Sequence, residues 1–315
     1  MRVDVKAQAR LHFGFLDLSG EKGRRFGGMG VAISRPRLAL RMEKARTLTV
    51  EGEQAERIEI LAARFFDAVD LRPEARIKVV ETITEHIGLG SGTQLALAVA
   101  SGLSRLHRLD LSPEELCALT NRARRSGVGY HLFHRGGFVI EGGHALEDHK
   151  LGEAPPLLLR HEFPEDWRIV VAVPKPSGTI SGEAEEAAFS RLSQPSEQLA
   201  DQIAGIVLIR LLPALVERDL DTFGAALTEA QELVGTCFAA VQNGLFHPDA
   251  APLIARLKEA GARGVGQSSW GPAVYAFGAN EAEERRLLDV ARRASPEGSV
   301  FAARGWNRGA ALESA

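Results

Sequence analysis

The sequence predicts an α+β protein of two domains. Two observations predict it. Strand-like alternation and helix-like spacing are interleaved in both halves of the chain rather than segregated. A polar, proline-bearing stretch from Leu151 to Pro156 separates the halves, giving expected domains 1–155 and 156–315. At 315 residues the chain is long enough for a substantial core.

The elements follow in order. Val3–Leu11 alternates apolar and polar residues as a strand does, and Arg37–Met42 and Thr47–Val50 are further strands. Gln54–Val69 carries Ile58, Leu61, Ala62, Phe65, Phe66 and Val69 at helical spacing, and Ala75–Ile83 alternates again. A small-residue helix is expected from about Gly92 to Leu106. The next begins at an N-cap, Ser112, with Pro113 in the first turn and Glu115 three residues on, and runs into a glycine-rich region. Phe138–Glu141 and Arg168–Val173 read as strands. Helices are expected at Glu183–Ser193, Glu197–Glu217, Leu220–Val234, Asp249–Ala260 and Glu281–Arg293. Strands are expected at Ala273–Phe277 and Ser299–Ala303.

Composition excludes several classes. With 38 basic and 41 acidic side chains and no basic run, neither nucleic acid nor a membrane surface is an expected partner. No apolar run reaches the roughly 18 residues of a membrane span, and the charged start does not read as a signal peptide. Cys117 and Cys237, two cysteines far apart, exclude a disulfide framework and a thiolate zinc site, and fit a reducing cytoplasm.

Glycine is the informative residue. Nineteen of the 32 fall in four stretches, 14–30, 88–92, 127–143 and 261–271, which we read as four loops of sharp bends or close approach. Gly88-Leu89-Gly90-Ser91-Gly92-Thr93 leads into a helix, whose first N–H groups and dipole suit phosphate. A tight turn with no ligand is the plainer alternative. Neither G-x-x-x-x-G-K-[ST] nor G-x-G-x-x-G occurs. Arg122, Arg124 and Arg125 beside Ser126-Gly127 form either a phosphate fork or a solvated helix end. Trp270 is a candidate for stacking or for the core, and His12 for an acid, a base, a phosphate donor or a structural histidine.

The Gly88–Thr93 loop resembles the P-x-x-x-G-L-G-S-S-A motif of GHMP-superfamily kinases, with Thr84 at the proline and Gly92-Thr93 replacing the last two residues. Many of those kinases carry Ser-Gly-x-Asp downstream, the aspartate activating the substrate hydroxyl. Here that position is Gly129. The segments ARLHFGF (9–15), HIGLGSGTQLALAVA (86–100), RRSGVGYHLFHRGGFVIEGGH (124–144), PKPSGTISGEAEEAAF (174–189) and GVGQSSWGPAVYAF (264–277) together resemble one branch, the β-ribofuranosylaminobenzene 5′-phosphate synthase family.

The resemblance implies a two-domain GHMP-kinase-like fold, with a ribosomal protein S5 domain 2-like N-terminal domain and a ferredoxin-like C-terminal domain. It implies condensation of 4-aminobenzoate with phosphoribosyl pyrophosphate, releasing CO2 and pyrophosphate, on the way to methanopterin. Mg²⁺ and a homodimer are implied too. On this reading His12, Arg122 and His131 are catalytic. Substrate is bound by Arg10, Arg24, Gly88, Gly90, Ser91, Gly92, Thr93, Gln94, Arg125, Ser126, Gly127, Gly129, Gln267, Ser268, Ser269 and Trp270. The Gly88–Thr93 loop takes pyrophosphate, and Arg24, Arg122 or Arg125 the 5′-phosphate or the carboxylate. His12 or His131 aids the leaving group. Ser91 and Glu141, with Asp17 as a further candidate, are the expected metal ligands. Two other readings stand beside it: an ATP-dependent small-molecule kinase of the same superfamily, and a non-catalytic ligand-binding protein.

Overall fold

The computed structural model describes residues 1–146, 153–175 and 197–315. The expected helix Glu183–Ser193, most of the 174–189 motif and the start of the Leu151–Pro156 stretch lie outside them.

Two sheets carry the architecture. The larger has the path β12-β1-β2-β4-β3, with β5 and β6 also on β2, and β7 on β5. Its strands are β1 (Arg2–Asp17), β2 (Arg24–Glu43), β3 (Thr49–Glu51), β4 (Arg76–Glu81), β5 (Phe138–Glu141), β6 (His144–Ala145), β7 (Leu157–His161) and β12 (Ala311–Ser314). The smaller, in the order β11-β8-β10-β9, is built from β8 (Arg168–Val173), β9 (Val265–Gln267), β10 (Val274–Gly278) and β11 (Ser299–Ala303). All pairings are antiparallel except β3 on β4. Strands β7 and β12, from the second half of the sequence, thus complete the first sheet.

The β1–β2 hairpin is longer than its expected strands. Beyond Leu11 the alternation fails because Leu11–Phe15 are buried on both faces. The first stretch of β2, Arg24 to Gly30, contains three glycines and reads as a loop, yet it pairs with β5 and β6. A Cβ on Gly28 would lie 2.9 Å from the Glu141 carboxylate and 3.1 Å from the Ser126 hydroxyl, and one on Gly30 2.7 Å from Val128. Part of the first glycine cluster is therefore strand, kept bare so that the segment after Arg125 closes onto the sheet.

The helices are α1 (Ala55–Ala68), α2 (Ser91–His107), α3 (Pro113–Thr120), α4 (Val128–Arg135), α5 (Glu197–Glu217), α6 (Leu220–Gln242), α7 (Ala251–Glu259) and α8 (Glu281–Ala294). Helix α2 is buried on nearly every side, as its Ala, Gly, Ser and Leu content allows. At Gly102 a Cβ would meet Met42 Sδ at 2.6 Å, so glycine sets how closely α2 lies on the sheet. Helix α3 ends with Asn121 instead of running on. Its start is the expected capping box: Ser112 Oγ accepts the Glu115 N–H and Glu115 accepts the Ser112 N–H. Helix α4 was hidden within the third glycine cluster.

Helix α5, with one π-helical stretch at Val207–Leu211, is long and apolar enough by composition to cross a membrane. Its Ile203, Val207, Leu211 and Leu215 face is buried in the core, while Leu208, Ile209 and Val216 are exposed. Asp201 and Arg210 break its apolar run and pair with Lys22 and Glu229.

One core joins both sheets. Phe13 of β1 lies 4.9 Å from Tyr275 of β10, and Phe163, Phe223 and Phe277 pack around them. Burying each such ring contributes about 1.5–3 kcal/mol. This core anchors the end of β1 against β9 and β10, where the candidate site lies. Both cysteines are free and buried.

Candidate active site

The Gly88–Thr93 loop is held from two sides. Arg10 of β1 donates through Nη1 to the Gly88 carbonyl (2.5 Å), and the Arg10 N–H to the Leu89 carbonyl (3.1 Å). Ser268 Oγ also donates to the Gly88 carbonyl (2.7 Å) and accepts the His12 N–H (3.0 Å). Gly88 and Gly90 have φ of +89° and +79°, and the Ser268 carbonyl occupies the space a Gly88 Cβ would need. The loop thus delivers Ser91 to the first turn of α2.

Positive charge gathers at that helix end. A Cβ on Gly92 would sit 3.0 Å from Arg57 Nη2 and 3.6 Å from Arg122 Nη1. Arg57 pairs with Glu85 at 2.8 Å. Burial, together with Arg57 and Arg64 nearby, pulls the Arg122 guanidinium below its ordinary pKa, and its Nε has no hydrogen-bond partner among the described residues. Guanidinium groups this close, beside helix N–H groups, suit a multiply charged anion. Arg57 escaped the sequence analysis because it belongs to a different helix, 35 residues before Gly92.

Thr93 faces Gly129: a Cβ there would lie 3.2 Å from Thr93 Cγ2. Gln94, buried, donates to the Gly129 carbonyl (3.0 Å), tying α2 to α4. The position where many kinases of the superfamily keep their aspartate is thus a glycine packed against the anion loop.

His12, expected to act on the leaving group, is buried and hydrogen-bonded through both ring nitrogens. Its Nδ1 accepts the Gly14 N–H (3.1 Å), which leaves the ring proton on Nε2, 2.9 Å from Ser126 Oγ. Ser126 in turn hydrogen-bonds Glu141. Burial and Arg10 push the His12 pKa down to about 3. The ring is a neutral, doubly bonded wall of the site.

Glu141 is sealed. Its oxygens accept the Gly127 N–H (3.2 Å) and the Gly143 N–H (2.7 Å), and burial raises its pKa to about 7 against those donors. It braces the 126–143 turns. Asp17 Oδ1 accepts from the Ser19 N–H, the Ser19 hydroxyl and the Gly20 N–H. Among the described residues no three His, Cys, Asp or Glu side chains cluster. Of the expected ligands, Ser91 lies at the loop, whereas Glu141 and Asp17 are engaged in the hydrogen bonds just described.

Of the other expected residues, His131 is bonded to the Pro155 carbonyl (2.8 Å) and buried. Arg24 clasps the Gly142 and Gly143 carbonyls (2.7 and 2.6 Å). Arg125 is half-buried beside Ser126. Gly127 has Pro155 against it.

Next to His12 and Ser269 lies an apolar slot. Phe15, Val234, Phe238, Leu245, Phe246 and Trp270 form its apolar walls; His12, Ser269 and the amides Gln231, Gln242 and Gln267 supply its polar atoms. Trp270 sets its edge to Phe238, centroids 5.0 Å apart. Gln267 Oε1 accepts the His247 N–H (2.6 Å), and its own N–H meets Gln231 Oε1 (3.0 Å). Most of this lining comes from α6 and the turn after it. The available signal was two amides, Gln231 and Gln242, on an otherwise apolar helix face.

Known proteins share this fold. Residues 56–133 match the family model of the GHMP kinases N terminal domain, and residues 211–297 that of the GHMP kinases C terminal. A homoserine kinase from Cytophaga hutchinsonii superposes with a TM-score of 0.68, 14% identical, over 99% of this chain and 97% of its own. The mevalonate kinase of Methanococcus jannaschii also gives 0.68, 13% identical, over 96% and 98%. The fold is that of the GHMP kinases. A β-ribofuranosylphenol 5′-phosphate synthase from Archaeoglobus fulgidus is 33% identical over 98% of this chain and 99% of its own. One from Methanothermobacter thermautotrophicus is 29% identical over 97% of each. The chain belongs to the β-ribofuranosylphenol 5′-phosphate synthase family.

Proposed function

We propose that this protein joins the ribose carbon of phosphoribosyl pyrophosphate to the carboxylate-bearing carbon of a para-substituted benzoate, as a decarboxylating pentosyltransferase. The observation that carries the reading is similarity along nearly the whole chain to synthases named for a β-ribofuranosyl arene phosphate. The bare Gly129 supports it: this chemistry removes no hydroxyl proton, so it needs no aspartate there. The resemblance implied 4-aminobenzoate, whereas the relatives are named for a phenol product, which corresponds to a 4-hydroxy acceptor. Either substituent pushes electrons to the carbon that reacts.

The steps balance without a proton transfer. The C1–O bond to pyrophosphate breaks, and the leaving group keeps the electron pair. The ring carbon supplies the pair for the new C–C bond. The bond to the carboxylate then breaks, its pair restores aromaticity, and CO2 leaves. Arg57, Arg122 and the α2 N–H groups face the departing charge, where preorganised donors act most strongly. Any Mg²⁺ enters as the counter-ion of pyrophosphate, part of the substrate.

The test supplies carboxyl-labelled 4-amino- or 4-hydroxybenzoate with phosphoribosyl pyrophosphate and Mg²⁺. Labelled CO2 that requires both substrates is the expected result. ADP formed from ATP and an alcohol, with no CO2, would overturn the reading in favour of a kinase.

A further inference from the structure

The slot contains an asymmetry. Its lining includes no Lys, Arg, Asp or Glu. Its three amides differ in what they have left to offer. Gln231 is committed at both ends, Nε2 to the Phe13 carbonyl (2.6 Å) and Oε1 to the Gln267 N–H (3.0 Å). Gln267 is committed likewise, to the His247 N–H and the Ser269 carbonyl. Gln242 differs. Its amide nitrogen donates to the Leu245 carbonyl (2.8 Å), which fixes the orientation of the amide, since an oxygen there would face an oxygen. Gln242 lines the slot, and no described residue donates a hydrogen bond to its Oε1.

We propose that this slot seats the arene acceptor and that Gln242 Oε1 reads its para substituent by accepting a hydrogen bond from it. The proposal rests on the reaction proposed above and deepens it. An amide oxygen covered by the bound ring favours a donor, –OH or –NH2, over a substituent of similar size that cannot donate, because the latter leaves the oxygen unpaired. The absence of any cation sets the other end of the ring. A carboxylate driven into an apolar slot would be uncompensated, so it points outward. We take the exposed Ser269 as the outward end; hydrogen bonds through His12 and Ser268 join it to the Gly88 loop. The carbon bearing the carboxylate then faces the anion loop, where the ribose carbon must arrive.

Calorimetric titration tests this with 4-hydroxybenzoate, 4-aminobenzoate and 4-methylbenzoate, each without phosphoribosyl pyrophosphate so that no turnover occurs; phosphoribosyl pyrophosphate is titrated separately. The wild type is expected to bind the two donors at least about tenfold more tightly than the methyl analogue. Gln242→Met, of similar length and uncharged, is expected to remove that preference while leaving 4-methylbenzoate and phosphoribosyl pyrophosphate affinities within about twofold; retained binding of both reports an intact fold. A second variant, Val234→Phe, fills the slot and is expected to weaken all three arenes without weakening phosphoribosyl pyrophosphate. Retained donor preference in Gln242→Met, or unchanged arene binding in Val234→Phe, overturns the proposal. Failure of the reaction reads out separately: if no arene yields CO2, the chemistry is wrong, whereas the binding preferences still decide the slot.

Discussion

The His12 imidazole and the Ser126 hydroxyl, 114 residues apart, meet at 2.9 Å, and Ser126 carries the contact on to the sealed carboxylate of Glu141. The chain His12–Ser126–Glu141 fixes a wall of the site to the turns around α4. Burial and the nearby Arg10 hold His12 at a pKa of about 3, below its ordinary 6.5. The ring is thus expected to stay neutral in the folded protein from pH 5 to 8, with an unchanged imidazole resonance by NMR. A midpoint near 6.5 would contradict this. For stability, His12 contributes fully above pH 6.5 and loses that contribution as pH falls toward 3, since only the unfolded chain takes up the proton there.

Glu141 acts in the opposite sense. Its pKa is raised from 4.5 to about 7, mainly by burial. The folded state holds a proton between those values that the unfolded state has released. Its contribution is full below pH 4.5 and is lost as pH rises through 7, a swing on the order of 3 kcal/mol. Glu141→Gln removes the swing, at a constant cost from setting an amide N–H against a backbone N–H. The stability gap between wild type and Glu141→Gln is expected to narrow from pH 5 to pH 8 in chemical denaturation. A constant gap would show that the carboxyl does not titrate in that window.

The guanidinium pair over Gly92 is expected to carry anion affinity. Arg57→Gln and Arg122→Gln each remove a charge-assisted donor worth about 1.5–3 kcal/mol. Either is expected to raise the KM for phosphoribosyl pyrophosphate about 10- to 100-fold, with the arene KM little changed. Steady-state kinetics with each substrate varied in turn separates the two. Equal rises in both constants would point to general damage.

Gly92→Val and Gly88→Ala are expected to fail differently. At Gly92 the added atoms meet only the mobile ends of Arg57 and Arg122, so the fold survives while pyrophosphate binding falls. At Gly88, with φ +89° and the Ser268 carbonyl in the way, backbone itself must move, so stability falls first. Thermal melts alongside pyrophosphate titrations distinguish them. A Gly92→Val protein that melts normally and still binds pyrophosphate would dismiss the anion loop.

Much of this was legible in local sequence. The capping box at Ser112, the helix after Gly90 and the loop motif all depend on neighbours within a few residues, where propensity and spacing speak directly. What escaped depends on distant pairing. The glycines of β2 look like a loop until Ser126, Val128 and Glu141 are set against them. Strand β12 is polar and short, and only the edge of β1 makes it a strand. His131 and Arg24 carry site-like chemistry in sequence, but backbone carbonyls of Pro155, Gly142 and Gly143 have claimed them. The slot was hidden because its lining is drawn from β1, α6, the turn after it and the 267–270 segment, which are far apart in sequence. Their function lies in the space they leave next to β1.

Ser268 offers a last test, because it binds the two halves of the site together. Fully buried, it accepts the His12 N–H and donates to the Gly88 carbonyl. Ser268→Ala leaves the His12 N–H without that partner, whereas the Gly88 carbonyl keeps Arg10. One orphaned buried donor costs about 1–3 kcal/mol, so the melting temperature is expected to fall by a few degrees. A purely structural role would end there. Since the Gly88 loop also loses its tether to β9, the KM for phosphoribosyl pyrophosphate is expected to rise severalfold, with kcat at saturation nearly unchanged. Cooling the assay to restore stability should leave that KM effect in place. If instead KM returns to the wild-type value on cooling, Ser268 supports the fold and does not position the loop.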